Sequence, residues 1–298
     1  MPSAPIPLRE HVPLAPLTTW RIGGPARWLA EPSSEQIPAL LQWARAEGLR
    51  VWWLGRGSNV LIDDAGLDGL VILTRDKMTR LERKGDCIEA EAGVSLPRLA
   101  KFAAHEGYAG YEFLIGIPGT VGAAVAINAG FKQGDPRHML ALVQEADLLA
   151  LDGSTRTVTM QEVNARYRYT DILETEELVL RARLKLERVG DPEQIRSETR
   201  EHLLQRKRTQ PLTRPTAGSV FKAVPDGTPA AVYIDRAGLK GLQEGGAMVS
   251  PKHANWIENA GGATARDVLH LVEIVQEKVQ AEFDLDLEPE IRYLHSNV

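Results

Sequence analysis

Six short stretches of this 298-residue chain carry residue types that could do chemistry. The longest is Gly116-Ile117-Pro118-Gly119-Thr120-Val121-Gly122-Ala123-Ala124-Val125-Ala126-Ile127-Asn128-Ala129-Gly130, with four glycines, four alanines and little bulk. Such a backbone can approach a large ligand closely, and glycine reaches the positive φ at which successive N–H groups converge on an anion. The second stretch is the turn Gly55-Arg56-Gly57-Ser58-Asn59, whose N–H groups, Ser58 hydroxyl and Asn59 amide could cradle a pyrophosphate. In Arg166-Tyr167-Arg168-Tyr169 the alternation suits either carboxylate recognition by a guanidinium or an exposed, charged edge strand. Ala217-Gly218-Ser219-Val220-Phe221-Lys222 sets a serine in an apolar setting. Leu287-Glu288-Pro289-Glu290-Ile291-Arg292 holds Glu290 against a rigid Pro289 at the mouth of an apolar strand, a candidate buried acid, with Glu288 a solvated loop charge. Arg206-Lys207-Arg208 suits a solvated helix end that favours the dipole, or a diphosphate contact.

Several chemistries fail on spacing. A Rossmann fingerprint needs glycine at residue 60 and a helix after it; the chain has Val60 and then an apolar, strand-like run. A nucleophile elbow needs glycines two residues either side of Ser219, where Ala217 and Phe221 stand. Cys87 is the lone cysteine, so no intrachain disulfide forms and a reducing, cytoplasmic setting is expected. Seven histidines and that cysteine show no zinc-ligand spacing, so no metal is expected. A net charge of −5 argues against general nucleic-acid binding. No apolar run approaches a membrane span, and the N-terminal residues contain no signal-peptide h-region.

The elements that must position these residues follow from periodicity. Ser33 caps a helix to about Glu47 that Gly48 stops, with Gln36 reaching back to the cap. Strands are expected at 51–54, 60–62, 70–73 and 88–93, then a helix capped by Ser95 and ended by Gly107. Strands at 143–150, 155–159 and 178–186 form an antiparallel α+β region, and a charged helix from Asp191-Pro192 reaches about Lys207. The clearest helix has Thr264 at its cap, Asp267 as box partner, and Val268, Leu271, Val272, Val275 and Val279 at helical spacing. A final strand spans 291–294.

The order of motifs carries a resemblance. Thr19-Trp20-Arg21-Ile22-Gly23-Gly24, Leu54 to Leu61, Ile117 to Ala123, Tyr167-Arg168, Gly218 to Lys222 and Leu287 to Arg292 follow one another over nearly the whole chain. In this the chain resembles the UDP-N-acetylenolpyruvoylglucosamine reductases, flavoenzymes of the second committed step of bacterial peptidoglycan synthesis. The resemblance implies a three-domain α+β flavoprotein with a vanillyl-alcohol-oxidase/PCMH-type FAD-binding fold and a C-terminal substrate-binding domain. The implied limits are 1–75 joined by 287–298, then 76–188 for FAD, and 200–286 for the UDP-sugar. It implies noncovalent FAD and NADPH as co-substrate, the latter leaving before the sugar enters.

The roles the resemblance implies are specific. Gly55, Arg56, Gly57, Ser58, Asn59, Val60 and Leu61 would contact FAD, as would Ile117, Pro118, Gly119, Thr120, Gly122, Ala123, Asn128 and Gly130. Arg168 and Glu290 would stabilise charge on the substrate's enol carboxylate, and Ser219 would donate the proton. Tyr167, Arg208, Lys222 and His253 would contact the substrate. The chain lacks an insertion between Arg168 and Ser219 that supplies a tyrosine in one subgroup, so it resembles the shorter subgroup, with a more open sugar pocket. Ala223 stands where that first subgroup has asparagine, and His253 where it has glutamine. Two other readings remain: an oxidase of the same flavin fold, whose covalently held flavin would survive denaturation, and a colourless, non-catalytic nucleotide-sugar binder.

Overall fold

The computed structural model describes residues 3–131, 137–186 and 189–296; the expected domain limits at 1, 188 and 298 fall outside them. The N-terminal region holds β1 (Arg9–Pro13), β2 (Pro25–Ala30), helix α1 (Ile37–Ala46), β3 (Val51–Leu54), β4 (Val60–Ile62) and β5 (Leu67–Leu73). Its four-stranded sheet runs β1-β2-β5-β3, with β5 parallel to both flanking neighbours β2 and β3. An almost wholly apolar sequence suits such a strand, covered on both faces, and every residue of β5 except Asp68 is buried. Ser33 and Gln36 form the expected capping box, followed by a short 3-10 turn into α1.

A second region is built on β6 (Leu81–Lys84), β7 (Cys87–Glu91), β8 (Val143–Leu149), β9 (Thr155–Thr159) and β10 (Leu178–Lys185). These pair wholly antiparallel in the order β6-β7-β10-β8-β9. The helices here are α2 (Leu96–His105), α3 (Val121–Ala126), α4 (Met139–Leu142) and α5 (Ile172–Thr175). Leu96, Leu99, Ala100 and Ala103 of α2 and Val121, Ala124 and Val125 of α3 share one core with Ile88, Ala90, Ala182 and Leu184 of the sheet. The glycine-alanine run therefore opens as a loop over Ile117–Thr120 and becomes helical only at Val121, past Pro118 and Gly119.

Helix α6 (Pro192–Thr209), capped by Asp191, runs unbroken through residue 200 and packs on α2, so the chain passes to its third region only after Gln210. That region contains α7 (Ala230–Arg236), β11 (Gln243–Glu244), β12 (Ala247–Val249), β13 (Ile257–Asn259) and α8 (Ala265–Phe283). Thr264 and Asp267 cap α8 as a box, and all five of its expected core residues are buried. Asp64 adds a second anchor, accepting from the N–H groups of Ala265 and Arg266 at 2.8 and 3.1 Å. Carboxylates are favoured there by the unpaired amides of a helix start.

Two long-range links tie the third region back to the first. Trp20 is fully buried in the C-terminal core, its indole donating to the carbonyl of Ile257 at 2.9 Å. Strand β14 (Arg292–Leu294) leaves the third region and pairs in parallel with β4. One sequence expectation needs correction: Arg166–Tyr169 is not an edge strand. It is a tight turn in which residues 166 and 169 exchange backbone hydrogen bonds, with Arg168 at φ 55°.

Candidate active site

A cavity of about 660 Å³ lies where the three regions meet. Gly55 to Val60 and Ile117 to Thr120 line one part of it; Tyr167, Arg168, Ser219, His253 and Glu290 line another.

The glycine part is built from backbone. The N–H groups of Gly57, Ser58 and Asn59 donate to no protein acceptor among the described residues. A row of adjacent unpaired backbone donors on a cavity wall suits an anionic ligand. Gly57 sits at φ 62° with its Cα side pressed on Leu17 and Thr18, and its carbonyl accepts from Thr19 at 3.0 Å. Across the cavity wall, the Thr120 hydroxyl is buried with no partner in the protein. A Cβ at Gly55 would stand 2.6 Å from that hydroxyl, so a side chain there would close the gap between the two loops. Unpaired amides, an orphaned hydroxyl and a groove kept open by glycine fit the phosphates of FAD.

The second part is built from side chains on three segments distant in sequence. Arg168 Nε lies 2.7 Å from Glu290 Oε1, and both side chains are largely buried. The approach is off the N–H axis, leaving that hydrogen without an aligned acceptor, so the contact is a close electrostatic one rather than a full hydrogen bond. Burial pushes the Glu290 carboxyl above its ordinary 4.5; Arg168 and Lys222 oppose the shift without cancelling it. The Arg168 guanidinium also lies 5.3 Å from the Tyr167 ring centroid, within cation–π range.

The turn carrying Arg168 is braced from the glycine-alanine run. Asn128 donates to the carbonyl of Arg166 at 2.9 Å, and the Thr170 hydroxyl donates to the carbonyl of Ala126. A left-handed non-glycine residue costs on the order of 1–3 kcal/mol and persists only where its surroundings hold it.

Ser219 begins an extended segment placed between two others. On one side Val220 N–H donates to the carbonyl of Asn255 at 2.9 Å; on the other, Glu290 N–H donates to the carbonyl of Val220 at 2.7 Å. Asn59 reaches across to the carbonyl of Glu290 at 3.2 Å, linking the glycine turn to the acid. His253 is half-buried on the cavity wall, and burial together with the charge on Lys240 lowers its pKa, favouring the neutral ring at pH 7.

Most of the expected site residues meet at this cavity, including Gly122, Ala123 and Gly130, and four do not. Leu61 is fully buried in the core of the third region, and Asn128 is used as the brace just described. Lys222 pairs with Glu288, and Arg208 is exposed on the last turn of α6. In that cluster it is Arg206 that turns inward: it lies against Gly116 and is tied to Gln210 at 2.8 Å. Asn255 and Trp256 also line the cavity and were not foreseen; Lys252-His253-Ala254-Asn255 holds no local pattern that marks them. Among the described residues, no helix is long and apolar enough to cross a membrane.

Residues 26–159 match the model of an FAD binding domain, and residues 210–294 match that of the UDP-N-acetylenolpyruvoylglucosamine reductase C-terminal domain. UDP-N-acetylenolpyruvoylglucosamine reductase of Synechococcus sp. (strain CC9311) is 42% identical over 96% of this chain and 93% of its own. The protein of that name from Parasynechococcus marenigrum (strain WH8102) is 42% identical over 99% and 98%. The crystal structure of UDP-N-acetylenolpyruvylglucosamine reductase from Thermus caldophilus superimposes with a TM-score of 0.81 at 36% identity, covering 97% of this chain and all of the other. An FAD-binding fold joined to this C-terminal domain, with full-length relatives above 40% identity, places the chain in the UDP-N-acetylenolpyruvoylglucosamine reductase family as an FAD-dependent oxidoreductase.

Proposed function

We propose that the protein reduces the enolpyruvyl ether of UDP-N-acetylglucosamine to UDP-N-acetylmuramate at the expense of NADPH. Family membership gives the coarser role, a reductase of peptidoglycan precursor synthesis. FAD, held by the loops 55–60 and 117–120, would supply the hydride chemistry that links NADPH to the terminal carbon of the enolpyruvyl double bond. The protein's own task is then to manage the negative charge left on the α-carbon and carboxylate, and to deliver one proton there.

Arg168 pairs with the substrate carboxylate, and Glu290, whose protonated form burial favours, donates a hydrogen bond as the charge develops. Preplaced donors of this kind, aimed at charge that forms only in the transition state, are each worth about 10²–10³-fold in rate. Ser219 donates the proton to the α-carbon, completing addition of one hydride and one proton across the double bond. Tyr167 and His253 contact the substrate, while the loops 55–60 and 117–120 hold the cofactor phosphates. In this reading residues 1–75 with 287–298 and residues 76–188 enclose FAD. The UDP-sugar region begins after α6 rather than at residue 200.

The observation that supports this reading best is the meeting of Arg168, Ser219 and Glu290 on the wall of the cavity lined by the glycine loops. The test is NADPH oxidation followed by absorbance, with and without the UDP-enolpyruvyl sugar. Turnover that depends on the sugar is expected; oxidation indifferent to the sugar would overturn the proposal.

A further inference from the structure

We propose that Asn255 is a positioning residue of the reduction, setting Ser219 and His253 in register against Arg168 and Glu290; the proposal rests on Ser219 being the proton donor. Residues 219–222 belong to no regular strand, so their place is fixed by individual hydrogen bonds. Asn255 supplies three of them. Its carbonyl accepts from Val220 at 2.9 Å, its side-chain Oδ1 accepts from Phe221 N–H at 2.9 Å, and its Nδ2 donates to the Phe221 carbonyl at 2.8 Å. The side chain is buried, and both ends of its amide are used.

That pairing admits one orientation of the amide. Phe221 N–H can only donate and its carbonyl can only accept, so a flipped amide would lose both bonds. Neither aspartate, which has no donor, nor leucine, which has no polar atom, can satisfy both groups, and a buried backbone group left unpaired is costly. The opposite edge of the same segment holds Glu290, through its N–H on the Val220 carbonyl at 2.7 Å and the pairing of Phe221 with Pro289. Asn255 therefore fixes the strip that carries Ser219 and against which the Glu290 segment pairs.

The peptide of Asn255 acts on a second wall residue. Its N–H donates to His253 Nδ1 at 3.3 Å. The neutral ring then carries its proton on Nε2, leaving His253 with a donor at that nitrogen. The lowered His253 pKa, due first to burial, agrees with a neutral ring. One buried asparagine thus sets the position of the proton donor and the protonation pattern of its neighbour on the cavity wall.

The experiment uses the FAD-loaded Asn255→Asp and Asn255→Leu variants in rapid mixing. It reads flavin reduction by NADPH separately from reoxidation by the UDP-enolpyruvyl sugar, with FAD content and melting temperature as folding readouts. A misplacement near 1 Å costs about 10²-fold in rate, so reoxidation should fall by about that factor while reduction by NADPH is kept. The solvent deuterium isotope effect on reoxidation should rise. Unchanged reoxidation would overturn the proposal, as would parallel loss in both half-reactions or loss of FAD in both variants, the marks of a purely structural role. Ser219→Ala in the same assay separates the two claims: if it leaves reoxidation intact, the proton-donor reading fails; if it slows reoxidation, the Asn255 variants alone decide.

Discussion

The two parts of the cavity are made by different means. The loops 55–60 and 117–120 offer backbone amides and an absence of side chain, with Gly55 leaving room against Thr120 and Gly57 bent to φ 62°. The opposite wall offers side chains, Arg168, Ser219 and Glu290, each brought from a different segment of the chain by hydrogen bonds that span long stretches of sequence. A backbone cradle binds whatever carries the right phosphates. Side chains placed one by one can tell a transition state from a ground state. The comparison predicts that binding and chemistry can be damaged separately.

The largest effect falls on the side-chain wall. Arg168→Met should slow flavin reoxidation by the enolpyruvyl sugar about 10²–10³-fold, read by stopped-flow absorbance, with FAD content preserved. Next comes the backbone side. Gly55→Val places its Cβ where 2.6 Å separates that position from the Thr120 hydroxyl, and should abolish most FAD retention on gel filtration. Gly55→Val with normal flavin content would refute the cradle.

A smaller, graded effect belongs to pH. Burial raises the Glu290 pKa above 4.5, so the protonated donor survives to higher pH than in an exposed carboxyl. The reoxidation rate should fall as pH rises through that raised value, and Glu290→Gln, a permanent donor, should lose this alkaline limb. The sign for stability is the same: the folded state holds the proton more tightly than the unfolded one. The contribution is therefore complete below 4.5 and is lost as pH rises through the raised value. Denaturant melts of wild type and Glu290→Gln across that range check it. The smallest effect is expected at Arg208, exposed on α6 and away from the cavity wall. Arg208→Ala should leave KM for the sugar unchanged, and a marked rise would place the substrate diphosphate over α6.

The same division explains what the sequence disclosed. Glycine is required where backbone must approach closely, so Gly55, Gly57 and the run from Gly116 announce themselves by composition. The valines and Leu271 of α8 do so by period. The turn at Arg166–Tyr169 gave no such signal, because alternating arginine and tyrosine read equally well as an edge strand. Tertiary bonds from Asn128 and Thr170 decide it, and they pair residues about forty positions apart. Asn255 was silent for the same reason: its partner Phe221 lies 34 residues upstream. Lys222 and Arg208 show the converse: a motif position gives a residue's type but not the direction its side chain takes.

The most direct test of that separation is double-mixing stopped flow on Ser219→Ala. The account predicts normal FAD content and flavin reduction by NADPH, with reoxidation by the UDP-enolpyruvyl sugar slowed about 10²–10⁴-fold, the range for loss of a positioned general acid. Equal slowing of both half-reactions, or reoxidation at the wild-type rate, would contradict it.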